Sequence, residues 1–297
     1  MGYLFLVLAI IAGLIKAYCG KRSSSAVNCT SDTVAVTTVR MTLCCIIGAF
    51  LMIFSGADPF SASKGTVILA MLSGVSSASF TVIWLLSVKN TLYMMVEVFV
   101  AGGILIPLVF SSIIYQEVIS PADIIGILLL LIGVYFISNN RAGKRERISV
   151  GGILLLLLCM ISSGSVDLLQ KIFVKELPGE NTLVFNFYLY VFASIALILV
   201  NIFLYSKKMG SVKDSALVIK QIWLYILVMA ISLFLNSYFK TAAAAYLDAV
   251  VMYPLSQGTA MLLSTVMSVV IFKEALSKKG VLGIILTLIA IVTINIL

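Results

Sequence analysis

Residues 113–137 read IIYQEVISPADIIGILLLLIGVYFI, and residues 270–294 read VIFKEALSKKGVLGIILTLIAIVTI. An offset of 157 superimposes Glu117 on Glu274, Gly126 on Gly283 and Ile137 on Ile294 without a gap. Each stretch is the end of one apolar run, a short polar hairpin and a second apolar run. The chain therefore contains the same helical hairpin twice. Apart from the polar turn, neither copy offers a polar face that could meet water, so the solvent for these runs is lipid.

Working outward, composition agrees. The 297 residues are 62% hydrophobic and 11% charged, where a soluble domain carries about a quarter charged residues. A membrane span needs roughly 20 mostly apolar residues. Ten such runs are legible, at 3–20, 33–54, 65–87, 92–114, 121–138, 151–172, 183–205, 219–241, 248–272 and 280–297. The expected fold is an all-α integral membrane protein of ten transmembrane helices in two five-helix repeats, residues 1–140 and 150–297. Five is odd, so the second repeat enters the membrane in the opposite direction. The first run has no basic n-region and no A-x-A-like cleavage site, and is expected to be a retained span.

The connecting pieces are too short for a soluble domain, and there is no P-loop. The net charge of +8 sits in loops, where topology explains it without a nucleic-acid partner. Loops after odd-numbered spans hold 14 Lys and Arg, and the other side holds 3, namely Lys64, Lys171 and Lys175. The positive-inside rule then puts the odd-to-even loops in the cytoplasm and both termini outside. The triplet Asn28-Cys29-Thr30 fits an N-glycosylation site, but this orientation turns it inward. The five cysteines lack metal-ligand spacing and are expected to pack as small apolar residues. With no histidine in the chain, histidine catalysis and histidine metal sites are excluded. No cofactor or metal is called for, and no nucleophile stands with a base, so an enzyme is not expected.

Charge inside a span costs roughly 2.5–3.5 kcal/mol on insertion scales. Lys16, Arg40, Glu97, Asp167 and Lys240 therefore each need a reason. Lys16 and Asp167 hold nearly equivalent places in spans one and six, either pairing or each gripping one end of a zwitterion. Lys16, Arg40 and Lys240 are also near enough to span ends to snorkel. Residues three, four or seven apart share a helix face. Such stripes are Thr37, Arg40 and Cys44; Ser73, Ser77 and Thr81; Ser163, Asp167 and Gln170; Asn186, Tyr190 and Ser194, continued at Asn201; Ser232, Asn236 and Lys240; and Tyr253, Gln257, Ser264 and Ser268. They suggest either a wet central cavity or interhelical hydrogen bonding. Gly102, Gly103 and Pro107 are expected to interrupt span four, and Pro254 and Gly258 span nine. Glu97 falls opposite Pro254 in the repeat. Broken helices at matching positions of two halves point to a transporter's binding site. Glu117 and Glu274 are read as structural, fixing their hairpins.

Together these features resemble the drug/metabolite transporter superfamily, specifically its EamA-type ten-span proteins. The resemblance rests on the two five-span halves, the hairpins around Glu117 and Glu274, Gly126 and Gly283, Arg40 near the start of span two, and Thr241-Ala242-Ala243-Ala244-Ala245. The Trp-Gly-Ser/Asn opening usual in span one is here Ala12-Gly13-Leu14. The resemblance implies transport across the plasma membrane, with export favoured. It also implies cytoplasmic termini, against the charge count. The substrate expected from the residues is a small polar metabolite, an amino-acid-like zwitterion or an organic anion. Its candidate ligands are Lys16, Arg40, Glu97, Asp167, Asn186, Asn236, Lys240, Tyr253 and Gln257. A coupling proton would ride on Asp167 or Glu97. The chain would act as a monomer or homodimer. Alternatives are an exporter of lipophilic cations, a lipid-headgroup flippase and, further off, a membrane-embedded enzyme.

Overall fold

A computed structural model describes the chain except residues 24–25, 28, 91–92, 139–149, 272–277 and 297. Side chains at 88–90, 93–95, 97–98, 268 and 294–296 also lie outside the description. Asn28, Lys89, Glu274, Lys273 and the basic cluster Arg141, Lys144, Arg145 and Arg147 therefore fall, wholly or by side chain, outside the described residues.

Among the described residues the secondary structure is helical, with no strand. The helices are α1 (Gly2–Ser23), α2 (Thr30–Ser55), α3 (Lys64–Asn90), α4 (Tyr93–Gly102), α5 (Leu105–Ile114), α6 (Pro121–Ser138), α7 (Val150–Glu176), α8 (Thr182–Ser206), α9 (Val212–Gln221), α10 (Trp223–Ala244), α11 (Ala249–Val270) and α12 (Lys278–Ile296). In lipid every backbone polar group must bond within its own segment, which leaves the helix as the form for these runs. Seven helices (α1, α2, α3, α7, α8, α10 and α11) are long and apolar enough to cross a membrane. The pieces α4–α5, α6 and α12 occupy the expected fourth, fifth and tenth spans and are not among those seven.

Local chemistry sets the helix ends. Ser120 and Asp123 form a reciprocal capping box before α6: Asp123 N–H donates to Ser120 Oγ at 3.1 Å and Ser120 N–H to Asp123 Oδ2 at 2.8 Å. Pro121, at the first helical position, has no N–H to leave unsatisfied. Asn181 caps α8 by accepting from Leu183 N–H at 2.8 Å. Gly56 ends α2 at φ 67°, the left-handed conformation that suits glycine.

Span four is interrupted as expected: α4 stops at Gly102 and α5 starts at Leu105. Span nine is not. Helix α11 runs unbroken through Pro254 and Gly258. Proline there removes only its own N–H bond to the preceding turn, and Pro254 is close enough to the helix start for the rest of the ladder to hold. Span eight also begins later than its hydropathy suggests, at Trp223, because the residues before it form the separate helix α9.

The chain forms two compact units, Met1–Leu86 with Leu169–Ala245, and Ser87–Leu168 with Tyr246–Leu297. Each draws helices from both sequence halves. In the first unit α1 packs along α10 and α2 along α8, with α10 also against α2 and α9 against α2. Its core centres on Met41, Cys44, Phe185, Tyr190 and Phe234, and Phe173 stacks on Phe185 with centroids 4.0 Å apart. In the second unit α6 packs along α12, and α11 packs against α12, α6 and α5. The α6–α12 contact needs small residues: a Cβ on Gly133 would lie 2.5 Å from Thr287 Oγ1 and 2.9 Å from the Gly283 carbonyl. The repeat is visible here residue by residue. Gly126, Leu130 and Gly133 are buried on α6, and Gly283, Thr287 and Ala290, their equivalents at an offset of 157, are buried on α12.

Large apolar side chains also cover the outside of the helices, such as Ile53 (78% exposed), Ile113 (70%) and Leu199 (62%). Apolar side chains exposed on this many helices are stable in acyl chains, not in water.

Candidate functional site

Five of the nine sequence-predicted ligands lie in the first unit: Lys16, Arg40, Asn186, Asn236 and Lys240. Asp167, Tyr253, Gln257 and the backbone of Glu97 lie in the second. The side chain of Glu97 is outside the described residues.

Arg40 sits in the third turn of α2 with 9% of its surface exposed. It does not snorkel out of the helix packing. Its neighbours are those of an apolar core. Nη1 donates to the Met229 thioether at 4.0 Å, and Nε has no hydrogen-bond partner. Cys44, one turn along α2, and Tyr190 on α8 lie within electrostatic reach. The Cys44 thiol donates to the Ala230 carbonyl at 3.3 Å and the Tyr190 hydroxyl to the Leu233 carbonyl at 3.2 Å. Both donors are thus committed to α10, and no described carboxylate forms an ion pair with Arg40. Lys16, half-buried on α1, also reaches Cys44 electrostatically. The result is a buried, positively charged spot whose strongest donor faces only a weak acceptor.

Asn186 is fully buried and fully occupied. Its Nδ2 donates to the Thr182 carbonyl at 2.9 Å and reaches Thr241 Oγ1 at 3.5 Å. Its Oδ1 accepts from Ser237 Oγ at 2.7 Å, and Gln170 Nε2 donates to Ser237 at 3.0 Å. This network ties α7, α8 and α10 together and gives both polar atoms of Asn186 partners within the protein. Asn236 donates to the Ala9 carbonyl at 2.7 Å, stitching α10 to α1 where Gly13 gives its amide room. Other members of the polar stripes close on their own helices: Thr37 on Thr33, Ser194 on Tyr190 and Thr81 on Ser77. For these residues the bonds formed are interhelical or intrahelical. A helix face cannot distinguish such bonding from a wet cavity, because both want polar groups pointing inward.

In the second unit the buried Tyr253 hydroxyl donates to the Asp167 backbone carbonyl at 2.8 Å. Asp167 itself is 9% exposed. One turn earlier on α11, Ala249 N–H donates to Glu117 Oε2 at 2.8 Å. Glu117 is structural, as expected, but the element it fixes is the start of α11 and not only its own hairpin. Gln257 is half-buried and makes no hydrogen bond to a described residue. Gly103, at the break in span four, packs backbone to backbone on α7: a Cβ there would lie 2.9 Å from the Met160 carbonyl and 3.1 Å from Gly164 N.

Lys171 is not the loop charge that its place at the end of span six suggests: α7 continues to Glu176 and Lys171 is 0% exposed. Its spacing of four from Asp167, acid before base, is a favourable helical pairing pattern and was the available signal. Removing it from the loop count sharpens the charge asymmetry to 14 against 2.

Comparison with known proteins completes the picture. No curated protein matches the chain. A solved structure described only as "Crystal structure of protein" superposes with a TM-score of 0.77, covering 99% of this chain and 96% of its own, at 18% identity. At that identity the likeness is one of fold. Residues 150–296 match the EamA-like transporter family. On that match, and with its apolar helices, the chain belongs to the EamA-like transporter family, a multi-pass membrane transporter.

Proposed function

We propose that this transporter is a secondary carrier of a small polar metabolite bearing a carboxylate or phosphate, either an amino-acid-like zwitterion or an organic anion. Arg40 carries the reading. An uncompensated cation in a membrane helix is costly and marks a functional site by default. A guanidinium answers a carboxylate or phosphate with two parallel charge-assisted bonds, which the Met229 thioether cannot supply. A lipophilic-cation exporter fits poorly, because Arg40 would repel its substrate. A lipid-headgroup flippase shares the phosphate chemistry and is separated by the test below.

Ten spans in two inverted repeats, residues 1–140 and 150–297, would supply alternating access, exporting substrate across the plasma membrane. The matched burial of α6 and α12 and the family match over the second repeat support that arrangement. Asp167 is the residue we assign to proton coupling, since it is acidic and buried in a chain without histidine.

The test is uptake into proteoliposomes of radiolabelled amino acids and organic anions, with and without a proton gradient. A carboxylate- or phosphate-bearing solute is expected to accumulate. Arg40→Gln should lower its uptake about 100-fold, the scale of losing one partner of a buried charge pair, and Arg40→Lys should restore part of it. Asp167→Asn should abolish gradient-driven accumulation and spare exchange. Undiminished uptake by Arg40→Gln would overturn the reading. Lipid scrambling with no solute uptake would replace it by the flippase.

A further inference from the structure

Helix α9 joins α8 to α10 and is too short to cross a membrane. Because both neighbours are membrane-spanning in length and composition, α9 lies at the edge of the bilayer. Its N-terminus is set by Ser211, whose Oγ accepts from Asp214 N–H at 3.4 Å. One face is fixed to the protein: Ser215, 2% exposed, donates to Asp32 Oδ1 at 2.8 Å, at the start of α2. Just before the helix, Gly210 backs onto Ser31 so closely that a Cβ there would overlap it. On the same side Val218 and Ile219 pack, half-buried, against Cys19, Val36 and Ile222. The opposite side of α9 is uncovered. Lys213 and Lys220 are exposed on α9, and Lys207 and Lys208 on the segment leading into it, with Asp214 as the only exposed acid between residues 206 and 224. Between the lysines stand Met209, Val212 and Leu217, exposed at 63%, 62% and 66%.

We propose that this face binds anionic phospholipid headgroups. The occupant follows from charge and position together. A helix with cations beside apolar side chains, held at the bilayer edge, puts the apolar groups among the upper acyl carbons and the ammonium groups at phosphate level. Each lysine near an anionic surface enriches such lipid about fivefold. The side of the membrane assigned by the charge count is the one with the anionic leaflet. The Ser215–Asp32 bond then ties lipid binding to α2, the helix that carries Arg40. The proposal stands on α9 alone and does not depend on what Arg40 binds.

The chain has two tryptophans, and Trp223 lies three residues after Lys220, 46% exposed. In a Trp84→Phe background it reports on lipids next to α9. The protein is reconstituted in phosphatidylcholine vesicles doped with either brominated phosphatidylglycerol or brominated phosphatidylcholine at equal mole fraction. Quenching is expected to be at least about threefold greater with the anionic lipid. The preference should vanish at ~1 M salt, where the Debye length falls to about 3 Å, and in a Lys213→Gln/Lys220→Gln variant. A second readout uses the unmodified chain: phosphatidylglycerol should be retained over phosphatidylcholine through detergent washing. Equal quenching and equal retention would overturn the proposal and leave the lysines to topology or to a soluble anionic partner.

Discussion

Arg40 on α2 and Asn186 on α8 are buried polar side chains in the same unit, and they differ in whether their polar atoms have found partners. Asn186 has a partner for its oxygen and two for its nitrogen, whereas Arg40 faces a thioether. Asn186→Ala should therefore cost stability of about 1–2 kcal/mol, a lost bond plus an orphaned Ser237 hydroxyl. It would appear as a lower melting temperature in detergent with transport per folded molecule within about twofold. Normal stability with lost transport would assign Asn186 to the substrate site instead. Both residues were visible in the sequence as intramembrane polar groups. Their opposite states were not, because satisfaction depends on what the neighbouring helices present. Lys171 makes the same point from the other side: its identity was plain, and only the extent of α7 turns it from a loop charge into a buried one.

At the scale of elements, apolar run length gave most helices to within a few residues, since lipid permits little else. Two elements departed. Helix α9 was hidden because its composition is neither apolar nor uniformly polar, although Ser211 and Asp214 form the S-x-x-D pattern of a helix start. Helix α11 survived its proline, so the second expected break is absent. What hydropathy could not supply is which helices pack together: α1 with α10 and α2 with α8 follow from small-residue contacts and side-chain bonds, not from periodicity. The α6–α12 contact offers a direct test of this packing. Gly133→Val places its Cβ against Thr287 and the Gly283 carbonyl. The variant should lose about 1–3 kcal/mol through overpacking, seen as a shifted unfolding midpoint and less monodisperse protein. Unchanged stability would mean that α6 and α12 are not in close contact.

For the whole molecule, the membrane class, the helical content and the family were legible in composition and in one repeated hairpin. By the positive-inside rule, 14 against 2 basic residues predict that the α8–α10 connection is inside. In a cysteine-free background, a thiol introduced at position 62 should react with an impermeant reagent from outside the cell and one at position 211 should not. The reverse pattern would put the termini in the cytoplasm, as the family resemblance implies. The pairing of α1 with α10 bears on how the chain is made. Ser23 ends α1 and Trp223 starts α10, 200 residues later. At about 5–20 residues per second, α1 waits roughly 10–40 s for its partner during synthesis. Through that interval the Ala9 carbonyl has no Asn236 and Lys16 has no assembled core around it. The first helix to be inserted is thus among the last to be locked in place, and a ribosome stalled before residue 223 would leave it as the part of the nascent protein most open to quality-control proteases.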